Sequence, residues 1–321
     1  MLSIVIPIFN GADYVEDLYR EFSELRPRGL QIIFVDDCST DDTVPKLERL
    51  LDPLAGDVLL RMHSNAGAGH CRNRGWEKAT GKYTLFFDVD DRMHAAAIGA
   101  VLDKLELNMH ADVAICAYTY ERDIPELGSV MNKEDITIFD KSLGESESRT
   151  FTLEENSSLL LITNYPWNKI IRTATYKNTG MMFGNTKVNN DILGHWTTLL
   201  LADQILITRD VVCSHIVKSS GGNITNHRNE ERLAVFDALN QVYDLLVDYP
   251  HMRRRYCHIF WEFATRLLSW SKNRVEKKMH RRFDELTTKL FSRIDLEDFV
   301  LIRSRRAPGL GNKIKDHMYR G

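Results

Sequence analysis

The stretch Lys82-Tyr83-Thr84-Leu85-Phe86-Phe87-Asp88-Val89-Asp90-Asp91 decides how this chain is read. Its first part is a short, aromatic-rich apolar run, the composition of a strand buried on both faces. Asp88, Asp90 and Asp91 follow directly. Carboxylates packed this closely repel one another unless a cation or hydrogen-bond donors offset them. In an open α/β sheet, the carboxyl end of a strand is also where ligands bind. A hard divalent ion takes oxygen ligands and keeps positions open for phosphate oxygens. The segment therefore suggests a metal–diphosphate site at a strand end, against the plainer alternative of a solvated acidic turn.

Strand and helix patterns alternate around it. Strands are expected at residues 3–9, 30–35, 58–62, 82–87 and 113–120, and helices at 13–25, 44–51, 71–79 and 95–107. Ser39 or Thr40 can cap the second helix. Such alternation implies a mostly parallel sheet covered on both faces. From 121 to 155 the pattern dissolves into polar sequence, read as an excursion or mobile insert. Mixed α/β character returns over 159–208. Beyond residue 229 the chain reads as helical, at 232–247, 258–270 and 276–291, with a frayed tail from Pro308.

With 321 residues, 43% hydrophobic and 27% charged, the chain reads as soluble and globular, one large domain or a domain plus an appendage. The apolar N-terminus is short, lacks a basic region and meets Pro7, so it is expected to be a strand and not a signal peptide. No apolar run reaches the roughly 18–20 residues that span a bilayer. Five scattered cysteines without C-x-x-C spacing argue against a disulfide framework or zinc site and for a cytoplasmic location. Charge is uneven. Residues 251–321 hold 18 Lys and Arg against 8 Asp and Glu, whereas the whole chain has a net charge of −3. A basic end of this kind suits an anionic surface.

Four features occur in fixed order, each at or near the carboxyl end of an expected strand. They are IVIPIFN at 4–10, FVDDCSTDDT at 34–43, NAGAGHCRNRGWEKATGKY at 65–83, and FFDVDD at 86–91. In this order they resemble the family 2 inverting glycosyltransferases, which have the GT-A nucleotide-sugar-binding fold. The resemblance covers residues 2–120, and 160–228 more loosely. It implies a GT-A domain at 1–228, with a nucleotide-sugar half at about 1–120 and an acceptor half at about 155–228, followed by a basic helical region at 229–321. The glycines at 67, 69 and 75 do not fit the dinucleotide fingerprint, and neither a phosphate-binding P-loop nor an H-E-x-x-H motif is present.

Candidate residues follow motif by motif. Pro7, Phe9 and Asn10 turn the chain at the first strand's end, and Phe9 either offers a surface to a base or packs in the core. The resemblance implies that Asp37 accepts a hydrogen bond from a uracil ring, with Asp36 structural. Ser39, Asp41 and Asp42 suit helix capping. Gly67 and Gly69 permit close backbone approach at a helix N-terminus, where Arg72 and Asn73 can meet a diphosphate or the aspartate cluster. By the resemblance, Asp88 contacts the ribose or the metal shell, Asp90 ligates Mg²⁺ or Mn²⁺, and Asp91 supports them. Val89 stands where the family usually has a small residue.

An inverting transfer also needs a base for the acceptor hydroxyl. The family places an acidic pair at the start of a helix after the metal motif. VNNDILGHW at 188–196 matches it, with Asp191 as the base and Asn190 replacing the usual Glu. An N-capping aspartate is the plain alternative for Asp191. Trp167, Asn168 and Lys169 match the family's N-K pattern, which places Trp167, Asn168 and Asn190 on the acceptor side. The segment HIVKSSGGNIT at 215–225 resembles a loop that closes over the diphosphate, with His215 as a metal ligand and Lys218 as a donor.

The resulting expectation is a metal-dependent, inverting transferase moving a sugar from a nucleotide sugar, UDP-linked by resemblance, to a glycan or lipid-linked glycan. The implied setting is bacterial capsule, exopolysaccharide or O-antigen assembly. For the basic helices two readings stay open: peripheral contact with an anionic membrane at the inner leaflet, or a helical cap with its aromatic residues in the core. Nucleic acid is not expected as a partner, because the rest of the chain is acidic. The rival functions are a non-catalytic nucleotide-sugar-binding subunit and a nucleotidyltransferase, the latter disfavoured because Pro7 to Gly11 contains no Lys or Arg.

Overall fold

The computed structural model describes residues 1–122, 130–217, 230–306 and 308–318. Its first half alternates β1 (Leu2–Ile8), α1 (Val15–Ser23), β2 (Leu30–Asp36), α2 (Thr43–Leu50), β3 (Val58–Arg61), α3 (Ala68–Lys78), β4 (Tyr83–Phe86), β5 (Arg92–Met93), α4 (Ala95–Leu107) and β6 (Val113–Arg122). Then come α5 (Lys133–Leu143), β7 (Ser148–Phe151), β8 (Lys169–Arg172), the short α6 (Thr173–Tyr176), α7 (Asp191–Leu200) and β9 (Ile205–Val217). Five helices close the chain: α8 (Ala234–Asp248), α9 (Pro250–Lys272), α10 (His280–Phe291), α11 (Leu296–Arg305) and α12 (Pro308–Met318).

The five expected strands all form. Every residue of β1 and β2 is buried, as continuous apolar strands covered on both faces must be. The sheet order is β3-β2-β1-β4-β8-β6-β9-β5, with β7 added against β9. β3, β2, β1 and β4 are parallel neighbours, and β8 then runs antiparallel to both β4 and β6. β1 is followed by β2 on one side and flanked by β4 on the other, so the order reverses between β1 and β4. Such a switch point opens a crevice at the carboxyl ends of the strands.

Three expectations are corrected. Residues 121–155 are not simply an excursion: α5 and β7 lie within them, and β7 pairs with β9. The helix signal was present, since Asn132 caps Asp135 N–H and Glu134 and Asp135 occupy the first turn. The tail from Pro308 is helical, as α12. Ser39 and Thr40 do not cap α2. Both bond to Asn10, while Asp41 accepts the Thr43 N–H.

The C-terminal helices share a continuous core with the sheet. Trp196 of α7 meets Phe260 and Phe263 of α9 edge-on, with centroids 5.6 and 5.7 Å apart. Phe260, Trp261, Phe263 and Leu268 are buried, so the cap reading holds for these side chains. Trp270 is 40% exposed, and the Arg232 and Arg274 guanidinium groups lie over its ring. Many of the basic residues are paired, among them Arg255 with Glu154, Lys272 with Asp284, Arg293 with Asp244 and Arg306 with Glu262. No helix among the described residues is long and apolar enough to cross a membrane.

Candidate active site

The carboxyl ends of β1, β2 and β4 supply the first residues of the site. Pairing of Val5 with Phe86 and of Pro7 with Val35 brings Phe9, Asp36–Asp37 and Asp88 to one rim. Phe9 is 50% exposed, which removes core packing as its explanation. Asn10 sits at φ 49°, and its side chain accepts the Thr40 N–H at 2.8 Å, tying the ends of β1 and β2 together.

Asp37 is buried, and its two oxygens accept the N–H groups of Ala66 and Gly67 at 2.7 and 2.8 Å. In this geometry it fastens the loop that opens α3. Asp36 likewise accepts the Ser39 N–H, the structural task expected of it. Gly69 does permit close approach, but to the chain itself. A Cβ there would lie 2.0 Å from the Gly184 carbonyl oxygen and 2.8 Å from Asn190 Cβ. Asn73 is also used internally. It exchanges hydrogen bonds with the backbone of Phe183, donating at 3.0 Å and accepting at 2.8 Å, so its amide is not turned to a donor.

Arg72 is the centre of the arrangement. Its guanidinium is buried, donates to Asn190 Oδ1 at 2.7 Å and to Asp88 Oδ1 at 2.5 Å, and lies over the Phe183 ring. One cation thus joins the Asp88 turn to the N-terminus of α7, 118 residues away from it in sequence. Asn190 is correspondingly buried, so its side chain reaches Arg72 rather than an acceptor. Asp191 is the first residue of α7, and the cap position belongs to Asn190. The capping explanation therefore does not account for Asp191. Burial raises its carboxyl to about 6, Asp88 adds to the rise, and Arg72 and the Asn164 side chain oppose it.

The acidic turn is short of donors. Burial raises Asp90 to about 6, with the charges of Asp91 and Asp88 adding to it. Asp91 is buried. Its Oδ1 lies 2.7 Å from His215 Nδ1 and accepts the Ile216 N–H at 2.9 Å, whereas its Oδ2 has no partner. The fold explains this meeting. Arg92 of β5 pairs with Ser214 of β9, which sets Asp91, the residue just before β5, opposite His215 of β9. Burial alone would lower the His215 imidazole, but the hydrogen bond and charge of Asp91 raise it above its ordinary value. Val89 packs partly buried against the core beside Gly11.

No three His, Cys, Asp or Glu side chains among the described residues converge as a ready ligand set. The chemistry of the turn nonetheless fits a hard cation. Mutually repelling carboxylates and an orphaned buried oxygen favour a positive charge, and Mg²⁺ characteristically takes one or two carboxylates and completes its shell with phosphate and water. Lys218 lies outside the described residues.

The acceptor-side expectations for Trp167 and Asn168 are corrected. Both are 0% exposed. Trp167 supports Tyr165, whose ring stacks on it at 4.4 Å and 14°. Asn168 accepts from Lys169 Nζ at 2.6 Å and donates to Thr163 O. The residues the sequence reading missed are Asn164, Tyr165 and Tyr120. Tyr120 and Tyr165 are partly exposed, and their hydroxyls lie 3.3 Å apart beside His215. Tyr120 could have been found, as it alternates with Tyr118 at the end of an expected strand. Asn164 and Tyr165 carried no signal.

The sequence profile described as Glycosyl transferase family 2 matches residues 3–180. The chain is 29% identical over 152 residues to the putative teichuronic acid biosynthesis glycosyltransferase TuaG of Bacillus subtilis, covering 47% of this chain and 55% of that protein. It is 23% identical over 232 residues to the poly(ribitol-phosphate) beta-N-acetylglucosaminyltransferase TarS of Staphylococcus aureus, covering 70% of this chain and 37% of that one. The chain thus spans only part of the length of these relatives. The crystal structure of S. aureus TarS 1–349 with UDP-GlcNAc superposes with a TM-score of 0.72 at 19% identity, over 98% of this chain and 87% of that one. Since the profile covers more than half of the chain and reaches from β1 through the aspartate turn to β8, the chain belongs to glycosyl transferase family 2.

Proposed function

We propose that this protein is a metal-dependent, inverting glycosyltransferase that moves a sugar from a UDP-sugar to a hydroxyl of a cell-surface polymer or its lipid-linked precursor. The observation that carries the reading is the Arg72 bridge, which sets the Asp88 turn and the Asp191 helix on either side of one buried cation. A donor diphosphate at the turn and an acceptor hydroxyl at Asp191 would then lie within one crevice. The named activities of TuaG and TarS, and the nucleotide sugar bound by TarS, support the choice of donor and of acceptor class.

In this reading Asp90 and Asp88 would hold Mg²⁺ or Mn²⁺, which would supply neutralisation of the charge on the departing diphosphate. His215, held by Asp91 through Nδ1, would keep its other ring nitrogen free to act as a ligand or donor. Phe9 offers its exposed ring to the base. Asp191, with a carboxyl near 6, is poised to take the acceptor proton at neutral pH, where a base must be both ionised and basic. Inversion follows if the acceptor oxygen attacks from the side opposite the diphosphate.

Calorimetric titration of UDP and GDP and their sugars, with Mn²⁺ and then with EDTA, tests the donor site. Micromolar, metal-dependent binding of a uridine nucleotide is expected, and metal-independent binding would remove the assigned role of Asp88 and Asp90. Asn190 in place of the family's acidic residue favours one rival, a donor-binding subunit without turnover. Donor binding with no product against a panel of polyol-phosphate and glycan acceptors would select it.

A further inference from the structure

Residues 184–190 close on themselves just before α7. The Gly184 N–H donates to the Asn190 carbonyl at 2.7 Å, and Asn190 Nδ2 donates to the Lys187 carbonyl at 3.5 Å. The segment ends against Asp191, the first residue of α7. It also borders a cavity of about 440 Å³ that opens between it and α8, a volume within the range of small-molecule sites. Asn185, Thr186 and Lys187 line the cavity from the loop, Glu231 from just before α8, and Asp237 and Gln241 from α8 itself. Gln241 Nε2 donates to Asn185 Oδ1 at 2.8 Å and so ties α8 to the loop. Lys187 and Glu231 pair at 3.6 Å. The exposed Asp237 carboxylate and Asn185 Nδ2 have no partner among the described residues, and neither has Thr186 Oγ1.

The lining selects a class of ligand. Ala234 is its one apolar side chain among the described residues, so an apolar molecule would leave the polar wall unpaired. Two carboxylates against one ammonium leave the wall negative, which repels a diphosphate. The cavity is therefore unsuited to the nucleotide donor. A neutral group rich in hydroxyls suits it. Each hydroxyl can donate to a carboxylate and accept from an amide, and the Asp237 carboxylate has room for more than one.

We propose that this cavity is an acceptor subsite, which holds the hydroxyl-rich unit next to the one whose hydroxyl meets Asp191. The chemistry recognised is a run of neighbouring hydroxyls, carried by a sugar ring or by a linear polyol. Asp237 accepts from them and Asn185 donates to them. One short closed loop joins the cavity to Asp191, so an extended acceptor can touch both. The walls all lie beyond residue 180, where the family profile ends. Acceptor choice is thus assigned to α8 and the 184–187 loop, apart from the motifs that handle the donor. The inference rests on the reading of Asp191 as the base.

The test uses saturation-transfer NMR on the full chain with two probes, the trisaccharide of chitin and a trimer of ribitol phosphate. Asp237→Ala removes the open acceptor, and Ala234→Phe fills the space. The wild type is expected to bind at least one probe, the sugar alone pointing to a glycan acceptor and the polyol alone to a polyol-phosphate polymer. Asp237→Ala should weaken that binding about tenfold, as loss of hydrogen bonds to a charged group implies, and Ala234→Phe should abolish it. UDP affinity, measured by calorimetry on the same samples, should hold in both. In transfer assays the KM of the bound probe should rise about tenfold in Asp237→Ala with kcat unchanged. Binding of neither probe by the wild type, or equal binding by wild type and Asp237→Ala, would overturn the site, even if Ala234→Phe fails to fold. Probe binding without transfer, or with an unmoved KM, would overturn its acceptor role. Absence of metal-dependent UDP binding in the wild type would instead remove the glycosyltransferase reading, whatever the probes do.

Discussion

Two sets of buried aspartates in this molecule are treated in opposite ways. Asp298, in the C-terminal helices, is 1% exposed. It accepts from the Tyr243 hydroxyl at 2.7 Å, Trp261 Nε1 at 3.1 Å and Arg253 Nε at 3.0 Å, while its own N–H caps onto Asp295. That carboxylate is saturated with donors and knots α8, α9 and α11 together. In the 88–91 turn Asp91 is also buried, Asp88 and Asp90 are partly buried, and fewer donors reach their carboxylates. Asp90 and Asp91 face like charge, and one Asp91 oxygen is orphaned. A buried charge left short of partners is costly unless something outside the fold completes it. The first arrangement builds structure, and the second is the one we propose to meet the metal and the diphosphate.

The comparison would break if substitutions in the two places had the same consequences. The largest effect is expected at the reacting rim. Asp191→Asn should lower kcat by about 10²–10⁴-fold while UDP affinity and melting temperature hold, as steady-state assays, calorimetry and thermal unfolding would show. Asp298→Ala should do the converse. It strands Trp261 Nε1 and removes one partner each from Tyr243 and Arg253, which keep Arg293 O and Asp295, and should cost about 1–3 kcal/mol in urea unfolding, with kcat per folded molecule unchanged.

Gly69→Ala sharpens the boundary between the two behaviours. Its Cβ would press on the Gly184 carbonyl and Asn190, so a loss of about 1–3 kcal/mol should come with a reduced kcat as α7 shifts away from α3. Stability loss without any change in kcat would show that the α3–α7 contact does not position Asp191. The pH profile adds the sign. The Asp191 carboxyl is raised to about 6, so its ionised, proton-accepting form is present above that pH. kcat/KM should therefore fall about tenfold per unit below pH 6, and an acid limb near pH 4 would mean an unperturbed carboxylate. The smallest effect is expected on the exposed side of the cap. Trp270→Ala removes the cation–π contacts to Arg232 and Arg274, each worth about 0.5–1 kcal/mol, together with the covered part of the ring, and should not alter turnover.

The parallel strands of the first half were legible because burial on both faces leaves an apolar run that only one kind of element explains. The aspartate turn was legible because charge at the end of such a run is costly. The helix at 133–143 was overlooked because its apolar residues, Ile136, Ile138, Phe139 and Leu143, are diluted by seven others. The acceptor-side reading of Trp167 and Asn168 failed because a motif gives neighbours in sequence and not depth. Both side chains lie beneath the surface that Tyr165 presents.

The sequence by itself determined the family, the alternating α/β order of the first half, and the identity of Asp88, Asp90 and Asp191 as carboxylates that need explaining. These are local or ordered features, carried by hydrophobic period and by motif order along the chain. The tertiary structure alone decided that Asn10, Asp37, Asn73 and Asn190 spend their polar atoms on the protein itself, that Arg72 joins residues 88 and 190, and that Lys169 and Asp135 tether the turn at 163–168. Which donor meets which acceptor depends on register and burial across long sequence separations, and no local pattern of residue types encodes that pairing.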